Sequence, residues 1–327
     1  GFFVFGESFD VAVDRGELVA EHALEGAGDV GGDVLGRDGF GFEGGEQCGG
    51  VGLAGGEGLD DGALGLEGEI RVVPLHVLVD GDDLRDGIDV APPDLYQRNV
   101  TTAGASPTEL TAVYQQALSD SRGDGVVAVH ISAELSSTLG AAEHAAREFG
   151  GAVRVVDSKS AGMGTGFVAM AAARAASEGA DLDTVAAQAE STVSRVHAFL
   201  VVQRLENLRR SGRITAAASW LGTALAVKPL LRIDDGALVL AQRVRTTSKA
   251  TVAMVEQVLA VVGERRAALA VHHVDNPAGA AEVAATLAGA LPGCGPAIVT
   301  DLGPVLGVHL GPGAVGVVVA LEPASAG

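Results

Sequence analysis

From residue 70 onward, near-continuous apolar runs alternate with segments whose apolar residues recur at helical spacing. Residues 70–79 (IRVVPLHVLV) and 125–131 (GVVAVHI) are rich in β-branched residues, as expected of strands buried on both faces. Helical spacing occurs over 107–122 and 135–149, and a third strand is predicted over 152–156. Strands that alternate with helices of this length predict parallel βαβ units.

The second half of the chain predicts a mixed α/β layer. The pattern predicts helices over 166–178, 181–196, 247–264 and 278–291, and strands over 198–202, 267–271 and 297–299. Residues 227–233 and 237–243 are predicted to form a hairpin, because the Asp-Gly pair between them tolerates the positive φ angles of a tight turn. We therefore expect an α/β protein with two lobes, a parallel α/β/α lobe over residues 70–160 and a mixed-sheet lobe over residues 161–327.

The first 69 residues differ in composition from the rest of the chain. Residues 1–70 contain 21 of the 47 glycines and 16 of the 42 acidic residues, yet no lysine, proline, threonine or asparagine. A flexible linker would mix such polar residues with its glycines, and a folded domain would show periodic apolar faces. We expect residues 1–69 to be an anomalous segment with little packed structure, either a disordered acidic tail or the translation of a stretch that does not normally encode protein.

Charge, cysteine usage and motif content exclude several classes of protein. Residues 71–327 carry 26 acidic and 20 basic residues, so a basic surface for nucleic acid is not expected. No stretch approaches the roughly 18 consecutive apolar residues of a membrane-spanning helix, and the two cysteines, Cys48 and Cys294, have no zinc or disulfide spacing. These features predict a cytoplasmic protein without membrane insertion. No Gly-x-Gly-x-x-Gly motif follows the first predicted strand, and no Walker A, His-Glu-x-x-His, Cys-x-x-Cys or Gly-x-Ser-x-Gly motif is present, so nucleotide-binding, zinc and serine-hydrolase functions lose their usual support.

Two hydroxyl-rich segments follow predicted strands, where open α/β sheets bind their ligands. In residues 101–107 (TTAGASP), Ser106 before Pro107 is best explained as a helix N-cap, whereas Thr102 has no such role. Residues 132–138 (SAELSST) supply four hydroxyls at the start of a helix, which suit a carboxylate or phosphate oxygen. Helix capping alone would explain one or two of the four, so capping and anion binding both remain open.

One histidine and a group of arginines are the remaining candidates. His309 lies among the glycines and prolines of residues 302–313, where a fixed backbone would leave its ring free to reach a ligand. A surface-turn histidine is the alternative. Arg209, Arg210 and Arg213 surround a predicted turn, and their guanidinium groups could either be solvated or orient an anion.

Two further histidines are adjacent in the sequence. His272 and His273 follow a predicted strand, and neighbouring side chains on a strand point to opposite faces of the sheet. Their rings therefore cannot form a pair. We interpret both as structural residues.

Taken in order, the polar segments and the strands around them resemble the DegV family. TTAGASP resembles that family's Thr-Ser-Gln-Pro-Ser-Pro motif, and ISAELSSTLGAA resembles its Ser-Ser-x-Leu-Ser-Gly-Thr motif. The other matching segments are IRVVPLHVLVDG, VVDSKSAGMGTG, LENLRRSGRI, LAVKPLLRIDDGAL and LGPVLGVHLGPGAVG. Each segment is weak alone, but seven in the same order between residues 70 and 320 identify the chain as similar to this family.

The resemblance implies a two-lobed DegV-like fold that binds a long-chain fatty acid such as palmitate and performs no chemistry itself, so we expect no cofactor, no metal and no catalytic residue. It places the acyl tail in an apolar tunnel and the carboxylate at hydroxyl groups between the lobes. By motif position, Thr102 and Ser136 would bind the carboxylate and His309 would complete the hydrogen-bond network, with Ser137 and Arg213 as secondary residues near the head group. In some bacteria such a carrier presents the acyl chain to a separate fatty acid kinase, which supplies the ATP and metal.

The chain departs from the family pattern in three places. The family begins with a short strand and an Asp-Ser-Thr turn shortly before its Val-Pro-Leu motif, whereas a glycine-rich acidic segment precedes that motif here. Gly6-Glu7-Ser8, after Phe2–Phe5, is a faint echo of the turn that comes too early unless residues 28–68 are an insertion. Ala103-Gly104 replaces Ser-Gln in the first motif and Ser137 replaces glycine in the second, which puts affinity in doubt more than ligand class.

Two other functions remain open from the sequence. The first is a kinase substrate subunit like that of dihydroxyacetone kinase, which holds its substrate covalently through a histidine. His309 would be the candidate, although a small polar pocket would then be needed around it. The second is an inactive, mis-annotated product that lacks the first strand of the fold.

Overall fold

The computed structural model describes residues 3–7, 70–214 and 228–324. The first half of this part contains β1 (Phe3–Glu7), β2 (Ile70–Val73), β3 (His76–Val79), β4 (Asp82–Arg85), β5 (Val100–Ala103), α1 (Pro107–Asp120), β6 (Val126–His130), α2 (Thr138–Ala146), β7 (Val153–Asp157), α3 (Met163–Ser177) and α4 (Leu182–Val193). The second half contains β8 (Val196–Val201), α5 (Glu206–Arg210), β9 (Lys228–Asp234), β10 (Ala237–Val244), α6 (Thr247–Val262), β11 (Ala267–His273), α7 (Pro277–Ala290), β12 (Ile298–Asp301), α8 (Gly303–Leu310) and β13 (Val315–Leu321). None of the helices described is both long and apolar enough to cross a membrane.

The first sheet is parallel, with strand order β2-β1-β6-β7, and helices cover both of its faces. All five residues of β6 are buried, which explains its unbroken apolar run. On one face, Val127 and Val129 pack with α3 and α4; on the other, Val126 and Ala128 pack with α1 and α2. Ser106 is the N-cap of α1, and its side chain accepts a hydrogen bond from the backbone N–H of Glu109, so the predicted N-cap is confirmed.

The expectation of little packed structure before residue 70 is wrong for Phe3–Glu7. This segment forms β1 and lies between β2 and β6, with Val4 paired to Ile70 on one side and to Val127 on the other. The residues before the faint echo of the family's first turn therefore form a strand, and the parallel sheet has a strand at this inner position. The remainder of the anomalous segment, residues 1–2 and 8–69, lies outside the described residues.

The single strand predicted over residues 70–79 is two strands in different sheets. Pro74 separates β2 from β3 and cannot donate a backbone hydrogen bond to a sheet. After this break, β3 pairs antiparallel with β4 on one side and with β5 on the other. Val77 and Val79 of this small second sheet pack against Val305 of α8, so a segment from the first half of the chain covers a helix from the end of the chain.

The third sheet has strand order β10-β9-β8-β13-β11-β12 and is mixed, since β11 and β12 are parallel and the other neighbours are antiparallel. The predicted hairpin is confirmed, and Asp235 and Gly236 in its turn have φ angles of +46° and +84°. Strand β13, in which every residue but one is buried, is not among the strands predicted from the sequence. The parallel first sheet and the mixed third sheet, with the helices that pack on them, confirm the predicted α/β fold class.

The first and third sheets share the helix α3. Val168 and Ala172 of α3 pack on the first sheet, whereas Met163 and Phe167 of the same helix pack with Ala270 and Val318 of the third sheet. A lobe boundary between residues 160 and 161 stays a prediction, because α3 belongs to the cores on both sides of it.

Candidate functional site

A cavity of about 420 Å³ lies where the loops of the first sheet meet one face of the third sheet, between α8 and the hairpin β9–β10. Most of its lining is aliphatic or glycine, with contributions from Ile131, Leu200, Leu238 and Val318. The polar lining residues are Thr102, Ser136, Ser137, Arg213, His272 and His309. All five residues predicted to form a site are therefore brought to one cavity, together with one histidine that was interpreted as structural.

Thr102 and His309 form a hydrogen-bonded pair across the cavity wall. Thr102 lies on β5 and His309 in the last turn of α8, and Thr102 Oγ1 is 2.9 Å from His309 Nε2. The alternative of a surface-turn histidine is wrong, because His309 lies in a helix and lines the cavity. Pro304 is compatible with the first turn of a helix, so a segment with a proline near its start and glycine at its end forms α8 instead.

His309 is a neutral imidazole at pH 7. Burial, with a smaller contribution from the positive charge of Arg213, lowers the pKa of His309 to about 4. Its other ring nitrogen, Nδ1, is buried and makes no hydrogen bond within the described part of the chain. A neutral ring offers one donor and one acceptor, so it can orient the Thr102 hydroxyl without adding a positive charge to the cavity.

The Ser136 turn carries a second pair of hydroxyls. The predicted helix over 135–149 begins only at Thr138, because the backbone N–H groups of Leu135 and Ser136 instead donate to the carbonyl of Ser132 in a turn. Ser136 Oγ accepts from the backbone N–H of Thr138 at 3.2 Å and lies 2.8 Å from Thr138 Oγ1. Ser137 lines the cavity and caps no backbone N–H.

The glycine that departs from the first family motif provides space for this turn. A β-carbon on Gly104 would lie 2.1 Å from Thr138 Oγ1, so the Thr138 side chain occupies the volume that a side chain at residue 104 would need. The loop before α1 and the turn before α2 are thereby packed directly together. Thr102, on β5 just before this loop, and Ser136, in this turn, both line the cavity.

Arg213 is the one arginine or lysine in the cavity lining as described. Its Nε donates to the carbonyl of Leu135 at 3.3 Å and its Nη1 donates to the carbonyl of Ser211 at 2.5 Å. The guanidinium is thus fixed by backbone groups and is not paired with a carboxylate in the described structure. Arg209, in contrast, is exposed and pairs with Glu206 at 2.8 Å, so the three arginines of the predicted cluster differ in environment.

His272 lines the cavity, although its sequence pattern predicted only a structural role. It lies on β11, its ring is 5% exposed, and its Nε2 accepts a hydrogen bond from the backbone N–H of Met163 at 2.9 Å. Burial lowers the pKa of His272 to about 4, so this ring is also neutral. His273 Nδ1 lies 3.0 Å from a carboxylate oxygen of Asp301. Alternation along the strand would have placed the two rings on opposite faces but could not show which face carries a cavity.

Metal ligands are not clustered in the described residues. Across residues 3–7, 70–214 and 228–324, no three His, Cys, Asp or Glu side chains are placed to share one ion. The polar groups of the cavity are hydroxyls, neutral imidazoles and one guanidinium. Such a set suits an anionic oxygen rather than a cation.

A family profile, related sequences and solved structures that match this chain all belong to one protein family. Residues 65–322 match the profile of a family described as an uncharacterised protein family, DegV. The chain is 64% identical over 250 residues to a DegV domain-containing protein of Mycobacterium tuberculosis, covering 76% of this chain and 89% of that protein. Among solved structures, it is similar to a fatty-acid-binding DegV family protein from Thermus thermophilus, with a TM-score of 0.73, 33% identity, and coverage of 80% of this chain and 94% of that chain. It is also similar to the fatty-acid-binding DegV of Bacillus subtilis, with a TM-score of 0.70, 26% identity, and coverage of 78% and 92%.

Proposed function

The chain belongs to the DegV family, and on that premise we propose that it binds one long-chain fatty acid in the cavity and acts as a carrier without catalysing a reaction. One observation carries the proposal. A single cavity is aliphatic along most of its lining and has neutral donors and one guanidinium grouped near Thr102, Ser136 and His309. The Thermus thermophilus and Bacillus subtilis relatives are both described as fatty-acid-binding proteins, which supports the ligand class.

The aliphatic lining supplies most of the affinity in this proposal. Burial of an acyl chain contributes about 0.8 kcal/mol for each CH₂ group removed from water. The carboxylate must be desolvated at the same time, which costs several kcal/mol unless hydrogen-bond donors replace the lost water. The tail therefore provides binding energy, and the polar groups determine which end of the ligand enters which part of the cavity.

Each polar residue has a distinct role at the carboxylate. When His309 carries its proton on Nε2, it donates to Thr102 Oγ1, and the hydroxyl hydrogen of Thr102 is then directed to the ligand. When Thr138 Oγ1 donates to Ser136 Oγ, the hydroxyl hydrogen of Ser136 becomes available in the same way. Arg213 provides the positive charge, and the Ser137 hydroxyl is a further donor at the cavity edge.

The structure favours a carrier over a subunit that holds its substrate covalently through a histidine. A covalent adduct needs an accessible imidazole nitrogen in a small polar pocket. His309 Nε2 is instead occupied by Thr102, and the cavity is largely aliphatic. In the proposed role the bound acyl chain is presented to a separate fatty acid kinase, so ATP and metal would be bound by that partner.

Native mass spectrometry of the purified full-length chain, followed by lipid extraction, tests the ligand class. We expect a one-to-one complex with a long-chain fatty acid that denaturation releases unmodified. Incubation with dihydroxyacetone provides the contrasting test, and we expect no covalent increase in mass. A folded protein that contains no lipid, binds no added palmitate and gains the mass of the carbonyl compound would overturn the proposal.

A further inference from the structure

The cavity extends across the third sheet from the hairpin to β11. Its lining includes Leu238 on β10, Ile233 on β9, Ala198 on β8, Val318 on β13 and His272 on β11. These strands are neighbours in that order, and adjacent strands lie about 4.8 Å apart, so β10 and β11 are separated by about 19 Å. The two ends of the cavity therefore lie at widely separated strands on the same face of the sheet.

The polar groups mark the hairpin end. Arg213 precedes Ile214, which forms a β-bridge with Leu238 of β10. The guanidinium of Arg213 also donates to the carbonyl of Leu135, next to Ser136. The anionic end of the proposed ligand would lie at this end of the cavity, four strands from His272. We call it the Thr102 end and the opposite one the His272 end.

The length of helix α8 also separates the two ends of the cavity. Leu302, immediately before the helix, and His309, in its last turn, both line the cavity. Seven residues of α-helix span about 10 Å. A β-carbon on Gly162 would lie 3.0 Å from His272 Nε2 and 3.2 Å from Leu302 Cδ2, so Leu302 is at the His272 end. His309 and His272 thus mark the two ends of the cavity.

The His272 ring is held in place by the chain around it. Its Nε2 accepts from Met163 at the start of α3, and Gly162, with a φ angle of +55°, provides the space for the ring. Beyond His272 the sheet has only β12, where Thr300 is paired with His272 and is not part of the cavity lining. The ring is therefore the last side chain that the cavity meets in this direction on the sheet.

We propose that His272 is a specificity-determining residue whose imidazole forms the end wall of the cavity and limits the length of the acyl chain. The inference rests on the proposed function, because it takes the ligand to be a fatty acid with its carboxylate at the Thr102 end. The ring acts by its volume and rigidity and makes no polar contact with the tail. Smaller side chains along the path, at Ala161, Ala198 and Gly316, leave room for the chain until it reaches this ring.

Competition between saturated fatty acids of increasing length, read by native mass spectrometry, tests this role. Wild-type protein is compared with His272→Ala and His272→Phe. The alanine variant removes the wall and should move the preferred length upward by about two carbons or more, since the deleted ring leaves an open volume. The phenylalanine variant loses the hydrogen bond to Met163 but fills the volume, and it should retain the length limit of the wild type.

The outcomes separate this inference from the proposed function. An unchanged length preference in a folded alanine variant overturns the role of His272, as does a phenylalanine variant that shifts as far as alanine does. Failure of the wild-type protein to bind any fatty acid overturns the proposed function instead. If the alanine variant does not fold, His272→Val supports the same comparison, because valine favours strands and is still shorter than histidine.

Discussion

The two ends of the cavity are built in different ways. At the Thr102 end, hydroxyls, a neutral imidazole and a guanidinium come from segments that are far apart in sequence, and His309 Nε2 is bonded to the Thr102 hydroxyl. At the His272 end, the one polar residue of the described lining is His272 itself, whose Nε2 accepts a hydrogen bond from the backbone N–H of Met163. One end is therefore rich in polar groups, and the other is aliphatic apart from one fixed imidazole.

This difference assigns separate tasks to the two ends. Hydroxyl and guanidinium donors in a desolvated cavity discriminate by chemistry, because a ligand without a matching acceptor leaves them unpaired at a cost of about 1 to 3 kcal/mol each. An end that is lined by aliphatic side chains and one fixed ring discriminates mainly by shape. In the proposed function, the Thr102 end selects a carboxylate and the His272 end selects a chain length.

The largest effect should come from blocking the path between the two ends. Ala198→Leu places a larger side chain where the tail is proposed to pass, so we expect palmitate affinity to fall by about 100-fold or more, at a cost of about 1 to 3 kcal/mol in stability from overpacking. Isothermal titration calorimetry measures the affinity. Ala268→Leu, at an exposed position on β11, is the matched control and should bind normally. Wild-type affinity in a folded Ala198→Leu variant would show that the tail does not follow this path.

Loss of the cavity guanidinium should have the next largest effect. Arg213→Met keeps much of the aliphatic stem and removes the charge, so palmitate binding should weaken by about 10- to 100-fold, the range for a hydrogen bond to a charged group. Binding of 1-hexadecanol, which has the same tail without the charge, should change little. Arg209→Met is the control, because Arg209 is exposed and paired with Glu206. Equal weakening of the acid and the alcohol would mean that Arg213 supports the fold rather than the carboxylate.

The smallest expected effect is on stability in mild acid. His309 has a pKa of about 4 in the folded chain and an ordinary pKa of 6.5, so the unfolded chain binds more protons between these values. The free energy of unfolding is therefore highest above pH 6.5 and decreases as the pH falls toward 4, because protonation of His309 favours the unfolded chain. Between pH 7.5 and pH 5.5 the loss from this one histidine should be about 1 kcal/mol.

Urea unfolding of the ligand-free protein at several pH values measures this effect. His309→Gln can still hydrogen-bond to Thr102 and does not titrate, so its unfolding free energy should depend less steeply on pH than that of the wild type. The difference between the two profiles isolates His309 from His272, whose pKa burial also lowers to about 4. Parallel profiles would show that His309 is not buried as a neutral ring.

The sequence predicted the polar end of the cavity better than the apolar end. Thr102, Ser136 and His309 occur in short segments with unusual composition and with a family resemblance, and these signals are local. The position of His272 at a cavity wall depends on the order of strands in the third sheet and on the close approach of Gly162 to β11. Neither property can be derived from the alternation of apolar residues along one strand.

The errors in the predicted elements have related causes. Residues 70–79 have one continuous apolar pattern, but Pro74 divides them between two sheets, and pattern alone does not show where a chain changes sheet. The helix around His309 was missed because glycine and proline usually indicate a loop, whereas here Pro304 lies in the first turn of α8 and Gly311 follows its end. Phe3–Glu7 was given little weight because its neighbours in the sheet lie more than 60 residues further along the chain.

The most direct measurement of the central claim compares an acid and an alcohol of equal length in the absence of the two hydroxyls. Palmitate and 1-hexadecanol are titrated into wild-type protein and into the Thr102→Ala, Ser136→Ala double variant by isothermal titration calorimetry. We predict that the wild type prefers palmitate and that the double variant binds palmitate about 100-fold more weakly, with hexadecanol affinity changed by less than about threefold. A folded double variant that retains the full preference for palmitate would contradict the assignment of the carboxylate to this end of the cavity.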